Sequence, residues 1–334
     1  MMNQTFLENS FPLTSFNINA VIAINYCTRI MTIAARVGQE IYLIRYYWWR
    51  VILCIGFMFY MCLVVSRNVA FMRHYKISHY VTNENTSFVR IWVLEDIGFE
   101  IIPNWSNNKF ARDMNEIINA ALIVSIGIFC VVTLFIEKAE VQKVFATNIA
   151  VRFIYCYTTM NILRPFVYLP TSLPGPAYHC SNVTLSDTNQ PKNVYDVFTS
   201  MRYSKNCGDL VYSGHMAGFV TGCCVVIYYT HKLFRCDQYN SHNTRTCRRW
   251  YRNWPTFGII SLCILGMLAQ AILAVGTRQH YTVDIVVGIL VGYWNFIWHL
   301  YVLRPSDMEV PSLDKTGPYE GKTNYALDEI TTLR

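Results

Sequence analysis

The chain has 334 residues, of which 53% are hydrophobic and only 15% charged, with a net charge of +7 and a mean hydropathy of +0.23. That balance excludes an ordinary water-soluble domain and points to an all-α polytopic membrane protein. The apolar stretches are continuous rather than alternating with period two, which excludes a transmembrane barrel.

Residues 1–47 are expected to form a cytosolic arm without a secretory signal, because the apolar run at Ile18–Ile24 lacks a basic head and a cleavage pattern. From Phe16 to Ile44 apolar residues recur, with arginines at 29, 36 and 45. The pattern fits an amphipathic helix lying on the membrane surface and equally a cytosolic helix packed under the bundle.

Six windows are long and apolar enough to cross a hydrocarbon core of about 30 Å: Trp48–Val65, Ile117–Ile136, Phe145–Leu169, Ser213–Thr230, Thr256–Gly276 and Ile285–Leu303. They define a six-helix catalytic domain over residues 48–303. The first is flanked by an aromatic belt, Tyr46, Tyr47, Trp48 and Trp49, with Arg50 snorkelling to the interface. The third contains Arg152 and Arg164, each costly in a span unless it faces protein, water or an anion.

Residues 67–116 form a polar loop with three carboxylates, Glu95, Asp96 and Glu100, beside the membrane. A solvated face accounts for them better than catalysis does. The third window ends in a proline-rich stretch, Pro165, Pro170, Pro174 and Pro176, so the chain leaves the bilayer in an extended course. Arg164 then lies at headgroup depth, where it either snorkels or grips phosphate as a bidentate fork. In the loop that follows, Cys180 and Cys207 are either a disulfide or two free thiols. The basic and aromatic 231–254 loop suits anionic lipid better than nucleic acid, and the polar tail, 304–334, is expected to be disordered and cytosolic.

Basic residues number sixteen on the side of the termini and ten on the other, which sets the termini in the cytosol. The sequons at Asn85, Asn104 and Asn182 all fall in the loops assigned to the opposite side.

Two short stretches carry the chemistry. One runs from Cys207 to His215 at the entry to the fourth span; the other, from His280 to Asp284, precedes the last. Crossing once and returning brings both to one face. Asp284, four positions after His280, can orient that imidazole and strengthen its far nitrogen as a nucleophile. His215 can then act as the acid for a leaving alkoxide. Zinc is the rival use of such residues, but no further histidine falls at ligand spacing and no His-Glu-x-x-His is present. His299 reads as a packed or interfacial residue.

At these residues the chain resembles the sphingolipid synthase family, within the wider lipid phosphate phosphatase superfamily. Cys207-Gly208-Asp209 through Ser213-Gly214-His215 is similar to the family's third motif, and His280-Tyr281-Thr282-Val283-Asp284 to its fourth. The stretch from Arg164 through Thr171-Ser172-Leu173-Pro174 resembles its second, and Leu94-Glu95-Asp96, more loosely, its first. The chain departs from the pattern at Glu95, where proline is usual, and at Met216, where threonine is common.

The resemblance implies phosphocholine transfer from phosphatidylcholine to ceramide, giving sphingomyelin and diacylglycerol through a phosphohistidine. His215, His280 and Asp284 are the catalytic candidates; Arg164, Asp209, Ser213 and Tyr281 are the substrate-binding ones. It implies no cofactor and no metal, ceramide and glycerophospholipid as partners along with the membrane's own lipids, no nucleic acid, and a homo-oligomer as an open alternative to a monomer. It places the protein in the Golgi or plasma membrane with the site facing the lumen or exterior.

Ethanolamine and inositol donors could use the same triad. A lipid phosphate phosphatase would carry a lysine where Tyr157 stands and an arginine where Ala274 stands. A transporter using buried His and Asp is the remaining alternative, although no inverted halves with broken helices are evident.

Overall fold

The computed structural model describes residues 16–66, 68–70, 95–136, 144–168, 170, 173, 175–176, 193–199, 210–234 and 254–302. Leu94, Cys180, Cys207, Asp209, nearly all of the 231–254 loop beyond Phe234, and the 304–334 tail lie outside them. The described elements are helical throughout: α1 (Phe16–Tyr60), prolonged by a π-helical stretch (Met61–Ser66), α2 (Ile97–Ile101), α3 (Lys109–Phe135), α4 (Ala146–Tyr168), α5 (Val194–Thr199), α6 (Gly214–Phe234), α7 (Trp254–Gly276) and α8 (Thr282–Val302). The protein is an all-α polytopic membrane protein.

Among the described residues four stretches are long and apolar enough to cross a bilayer: Ile33–Ala70, Lys109–Phe135, Trp254–Gly276 and Thr282–Val302. The other two windows form helices of similar length, α4 and α6, but are more polar because they face protein rather than lipid. In α6 thirteen of 21 residues are buried, against four of 27 in α3. It is the central helix, packed on α3, α4, α7 and α8.

Arg152, the costly residue of α4, is 1% exposed. Its Nε donates to the Tyr229 hydroxyl at 3.1 Å, and its guanidinium lies over the Tyr228 ring at 5.6 Å. The charge is held inside the bundle by aromatic and polar groups of α6, which is how a span tolerates an arginine.

Glycine sets how closely α6 and α8 approach. A Cβ at Gly292 would stand 2.5 Å from the Ala217 carbonyl oxygen, and one at Gly288 would stand 2.9 Å from that of Ser213. With no side chain at either position the two backbones pack directly, as small residues allow in membranes. Thr221 Oγ1 donates to the Gly292 carbonyl at 3.3 Å across the same contact.

α1 runs unbroken through Tyr47 and Trp48, so the arm and the first span are one rod of about 67 Å, roughly twice the hydrocarbon thickness. The arm packs against the bundle through buried Arg36 and Glu40. Arg36 Nη1 and Nη2 donate to the carbonyls of Ile136 and Val144 at 2.8 and 2.9 Å. Glu40 accepts from the amides of Ala146 and Thr147 at 2.7 and 2.9 Å, and from the Thr147 hydroxyl at 2.6 Å. Those amides open α4 and have no acceptor within their own helix, and the carboxylate also faces the positive end of its dipole.

Candidate active site

The site is built where the starts of α6 and α8 meet. The Ser213 amide donates to the Asp284 carbonyl at 3.0 Å, joining the Ser-Gly-His stretch to the first turn of α8. Ser213 itself is buried and its Oγ accepts from the Met216 amide at 3.2 Å, the N-cap of α6. His215 follows two residues later, with its side chain 44% exposed at that end of the bundle.

His280 reaches the same end by a different route. Thr277 to His280 wrap the C-terminus of α7, with the Gln279 and His280 amides donating to the Ala274 carbonyl at 3.1 and 3.3 Å. Arg278 takes the left-handed conformation, φ 57°, that such helix ends favour and that usually falls to glycine. His280 is thereby buried just ahead of α8, with Nδ1 3.5 Å from Asp284 Oδ2. That distance is an ion-pair contact rather than a short hydrogen bond. The Tyr281 amide donates to the same Oδ2 at 3.0 Å and orients the fully buried carboxylate. Nδ1 is the sealed nitrogen, which leaves Nε2 for chemistry.

Arg164 comes in from α4. A Cβ at Gly214 would stand 2.7 Å from both Cζ and Nη1 of Arg164, so the guanidinium occupies the space beside the residue preceding His215. Tyr281 is buried with its ring stacked on Phe99 at 5.4 Å. Of the seven candidates, six are described and gathered at one end of the bundle; Asp209 is outside the described residues.

Of the three carboxylates at 95–100, Glu95 and Glu100 are exposed, as a solvated face requires. Asp96 is not part of that face. Its Oδ2 accepts from the Thr282 amide at 2.7 Å, and its Oδ1 from the Thr282 hydroxyl at 2.6 Å and the Gly98 amide at 2.8 Å. One side chain therefore caps α2 and closes the start of α8, two residues ahead of Asp284. Arg278 locks the same loop from the other side: it donates to the Phe99 carbonyl at 2.9 Å and lies 4.1 Å over the Phe99 ring. Burial holds its guanidinium below the ordinary value, and the Asp96 carboxylate opposes that shift.

One site residue is absent from the sequence-derived set. Glu116 of α3 places Oε2 3.5 Å from His215 Nε2. Its height is fixed by its buried neighbour Asn115, which donates to Gln279 at 2.7 Å and accepts from Gln270 at 2.8 Å. The same amide ladder ties α3 to α7 and to the turn that carries His280. Each histidine thus has its own carboxylate, Glu116 for His215 and Asp284 for His280.

Comparison with known proteins matches the part of the chain that carries both motif histidines. Residues 206–302, which include both histidines, match the model of the PAP2 superfamily C-terminal domain. The chain is 28% identical over 195 residues to an Arabidopsis thaliana protein named phosphatidylinositol:ceramide inositolphosphotransferase 3, covering 58% of each chain. It is 24% identical over 222 residues, 62% of this chain and 53% of the relative, to a Caenorhabditis elegans protein named putative phosphatidylcholine:ceramide cholinephosphotransferase 3. A Leishmania major phosphatidylinositol:ceramide inositolphosphotransferase is 24% identical over 189 residues, 55% of this chain and 49% of the relative. The chain spans about half the length of these relatives.

Fold and site therefore define a polytopic helical membrane protein whose residues 206–302 match the C-terminal model of the PAP2 superfamily. Within that superfamily the matches support the sphingolipid synthase family, as the paired histidine motifs imply.

Proposed function

We propose that the protein is a phosphosphingolipid synthase that moves phosphocholine from phosphatidylcholine to the primary hydroxyl of ceramide. The observation that carries this reading is the Ser213–Asp284 hydrogen bond of 3.0 Å, because it brings the His215 and His280 stretches to one end of the bundle.

In this reaction His280 Nε2 attacks the phosphorus of the donor diester. The bond from phosphorus to the glyceride oxygen breaks, and that oxygen takes a proton from His215, releasing diacylglycerol. His215, now neutral, removes the proton of the ceramide hydroxyl. The ceramide oxygen then attacks phosphorus and the nitrogen–phosphorus bond breaks, restoring His280. Asp284 stabilises the positive charge on His280, and Glu116 does the same for His215 when it is protonated. Arg164 holds the phosphate oxygens as charge moves onto them.

Two positions support a transferase over a phosphatase. Ala274 is buried in an apolar cluster with Met216, Val220 and Ile285, and Tyr157 packs against Gly218. Neither offers the cation that a doubly charged monoester would call for.

A second reading, with phosphatidylinositol as donor, is favoured by the names of the plant and Leishmania relatives. A quaternary ammonium is held by an aromatic cage, and Tyr212, beside the site, is buried with its hydroxyl donating to the Met160 carbonyl at 2.6 Å, so its ring is not open to a choline headgroup. The experiment offers labelled ceramide to membranes containing the protein, with each donor lipid separately and no ATP. Sphingomyelin from phosphatidylcholine is the expected product. Inositol phosphorylceramide in its place selects the second reading, and no product from any donor overturns both. An active site on the luminal or exterior face of a Golgi or plasma membrane belongs to the same proposal.

A further inference from the structure

Ceramide and the departing diacylglycerol compete for the same phosphohistidine, and they differ in what lies beside the primary hydroxyl. Ceramide carries two hydrogen-bond donors there, an amide N–H and a secondary hydroxyl on the next two carbons. Diacylglycerol carries ester oxygens, which only accept. A site that favours ceramide therefore calls for an acceptor atom close to the base and slightly deeper in the bilayer.

Asn119 of α3 supplies such an atom. It lies three positions after Glu116, so the two side chains share a face of the helix, and Glu116 Oε2 is 3.5 Å from His215 Nε2. Three residues advance the helix by about 4.5 Å, which takes Asn119 into the first turn of the apolar window that starts at Ile117. That step matches the reach from a hydroxyl to groups on the next two carbons. Ile123, one turn further and 55% exposed, continues the same face toward lipid.

The orientation of the amide is fixed by its partner. Nδ2 donates to the Asn115 carbonyl at 3.1 Å, and because a carbonyl only accepts, the nitrogen must be the atom on that side. The anchor is firm: the Asn115 side chain is held by Gln270 and Gln279 at 2.8 and 2.7 Å. Oδ1 has no hydrogen-bond partner among the described residues, and the half-buried side chain leaves it unsealed. An amide oxygen at the edge of the hydrocarbon is costly unless something donates to it.

We infer that Asn119 selects ceramide over diacylglycerol as the acceptor, its Oδ1 accepting from the ceramide amide or secondary hydroxyl while His215 holds the primary hydroxyl. The inference rests on the transferase reading of the histidine pair and applies equally to choline and inositol donors.

The test gives membranes containing the full chain a donor lipid and four labelled acceptors, one at a time: ceramide, N-methylceramide, 3-deoxyceramide and diacylglycerol. The wild-type protein should prefer ceramide to diacylglycerol, and to at least one of the two analogues, by about tenfold in kcat/KM, the worth of one good hydrogen bond. Which analogue is rejected identifies the donor group. Asn119→Leu and Asn119→Ala should bring those acceptors within about twofold of one another. These ratios do not depend on how much protein is folded, so a purely structural role would leave them unmoved. Glu116→Gln should slow all four acceptors together and keep the ratios. A ceramide preference that survives in both Asn119 variants, one that disappears in Glu116→Gln instead, or equal wild-type rates for all four acceptors would overturn the assignment of Asn119 and leave the transferase reading standing. No transfer to any acceptor from any donor lipid would defeat both.

Discussion

The Arg164 guanidinium occupies the space that a side chain at Gly214 would need, with 2.7 Å between Cζ and the position of an added Cβ. A glycine beside the exposed histidine is therefore the seat of the cation on the neighbouring helix. Gly214→Ala should displace Arg164 and lower turnover about a hundredfold, the cost of misplacing a catalytic group by about 1 Å. Arg164→Lys should lose most activity as well, because a point charge replaces a planar fork. Ceramide conversion in membranes matched for protein level measures both, and an unchanged rate in Arg164→Lys would assign the arginine a purely structural part.

Asp284→Asn separates orientation from charge. The asparagine oxygen can still accept from the Tyr281 amide, so the turn should hold, while the negative charge 3.5 Å from His280 is lost. Turnover should fall by about 10²–10⁴ with thermal stability in detergent nearly unchanged. His280→Ala should leave no transfer and no acid-labile phosphoprotein.

Glu116→Gln tests the carboxylate of the other histidine. Size is retained and the charge 3.5 Å from His215 is lost, so lipid KM should stay within about twofold while kcat falls ten- to a hundredfold. A rise in KM at constant kcat would place Glu116 in substrate binding instead.

Asp96 lies in the loop that loosely resembles a family motif, yet its bonds are those of a cap. Asp96→Asn, which must turn its NH2 toward one of the two backbone amides, and Asp96→Ala should each cost about 1 kcal/mol or more of stability, while the folded fraction keeps most of its activity. Thermal unfolding and activity measured on both variants distinguish a cap from a catalytic acid, which would lose activity in both.

Gly292→Leu drives a side chain into the Ala217 carbonyl. The substitution should destabilise the protein by about 1–3 kcal/mol through overpacking, seen as a lower midpoint in a detergent melt. Activity should fall with it, since the same interface sets Asp284 against Ser213.

Much of the fold was legible because lipid imposes a simple rule on side chains. Four of the six apolar windows coincide with a helix to within a few residues; the first lies within the much longer α1 rod, and the second is preceded by two further turns of α3, which begins at Lys109. The arm was ambiguous because amphipathic periodicity fixes a helix but not its partner; Arg36 and Glu40 find theirs about a hundred positions downstream. The contact between His280 and Asp284 was legible from their spacing of four positions. Glu116 was not, because it sits at the edge of an apolar window where a carboxylate reads as interfacial, and the histidine it meets is on another helix. Asp96 was misplaced among solvated neighbours for the same reason: a cap on a distant helix leaves no mark in the residues around it.

The Glu40 contact bears on how the chain assembles as it is made. The segment bearing this carboxylate leaves the ribosome well before the Ala146 and Thr147 amides, so the arm is already at the membrane when α4 arrives. A chain shortened past Glu40 would present α4 with a ragged first turn, and α6, polar enough to need neighbours on every side, would insert among helices not yet locked in place. Damage there should appear as degradation during biogenesis rather than as a slower enzyme.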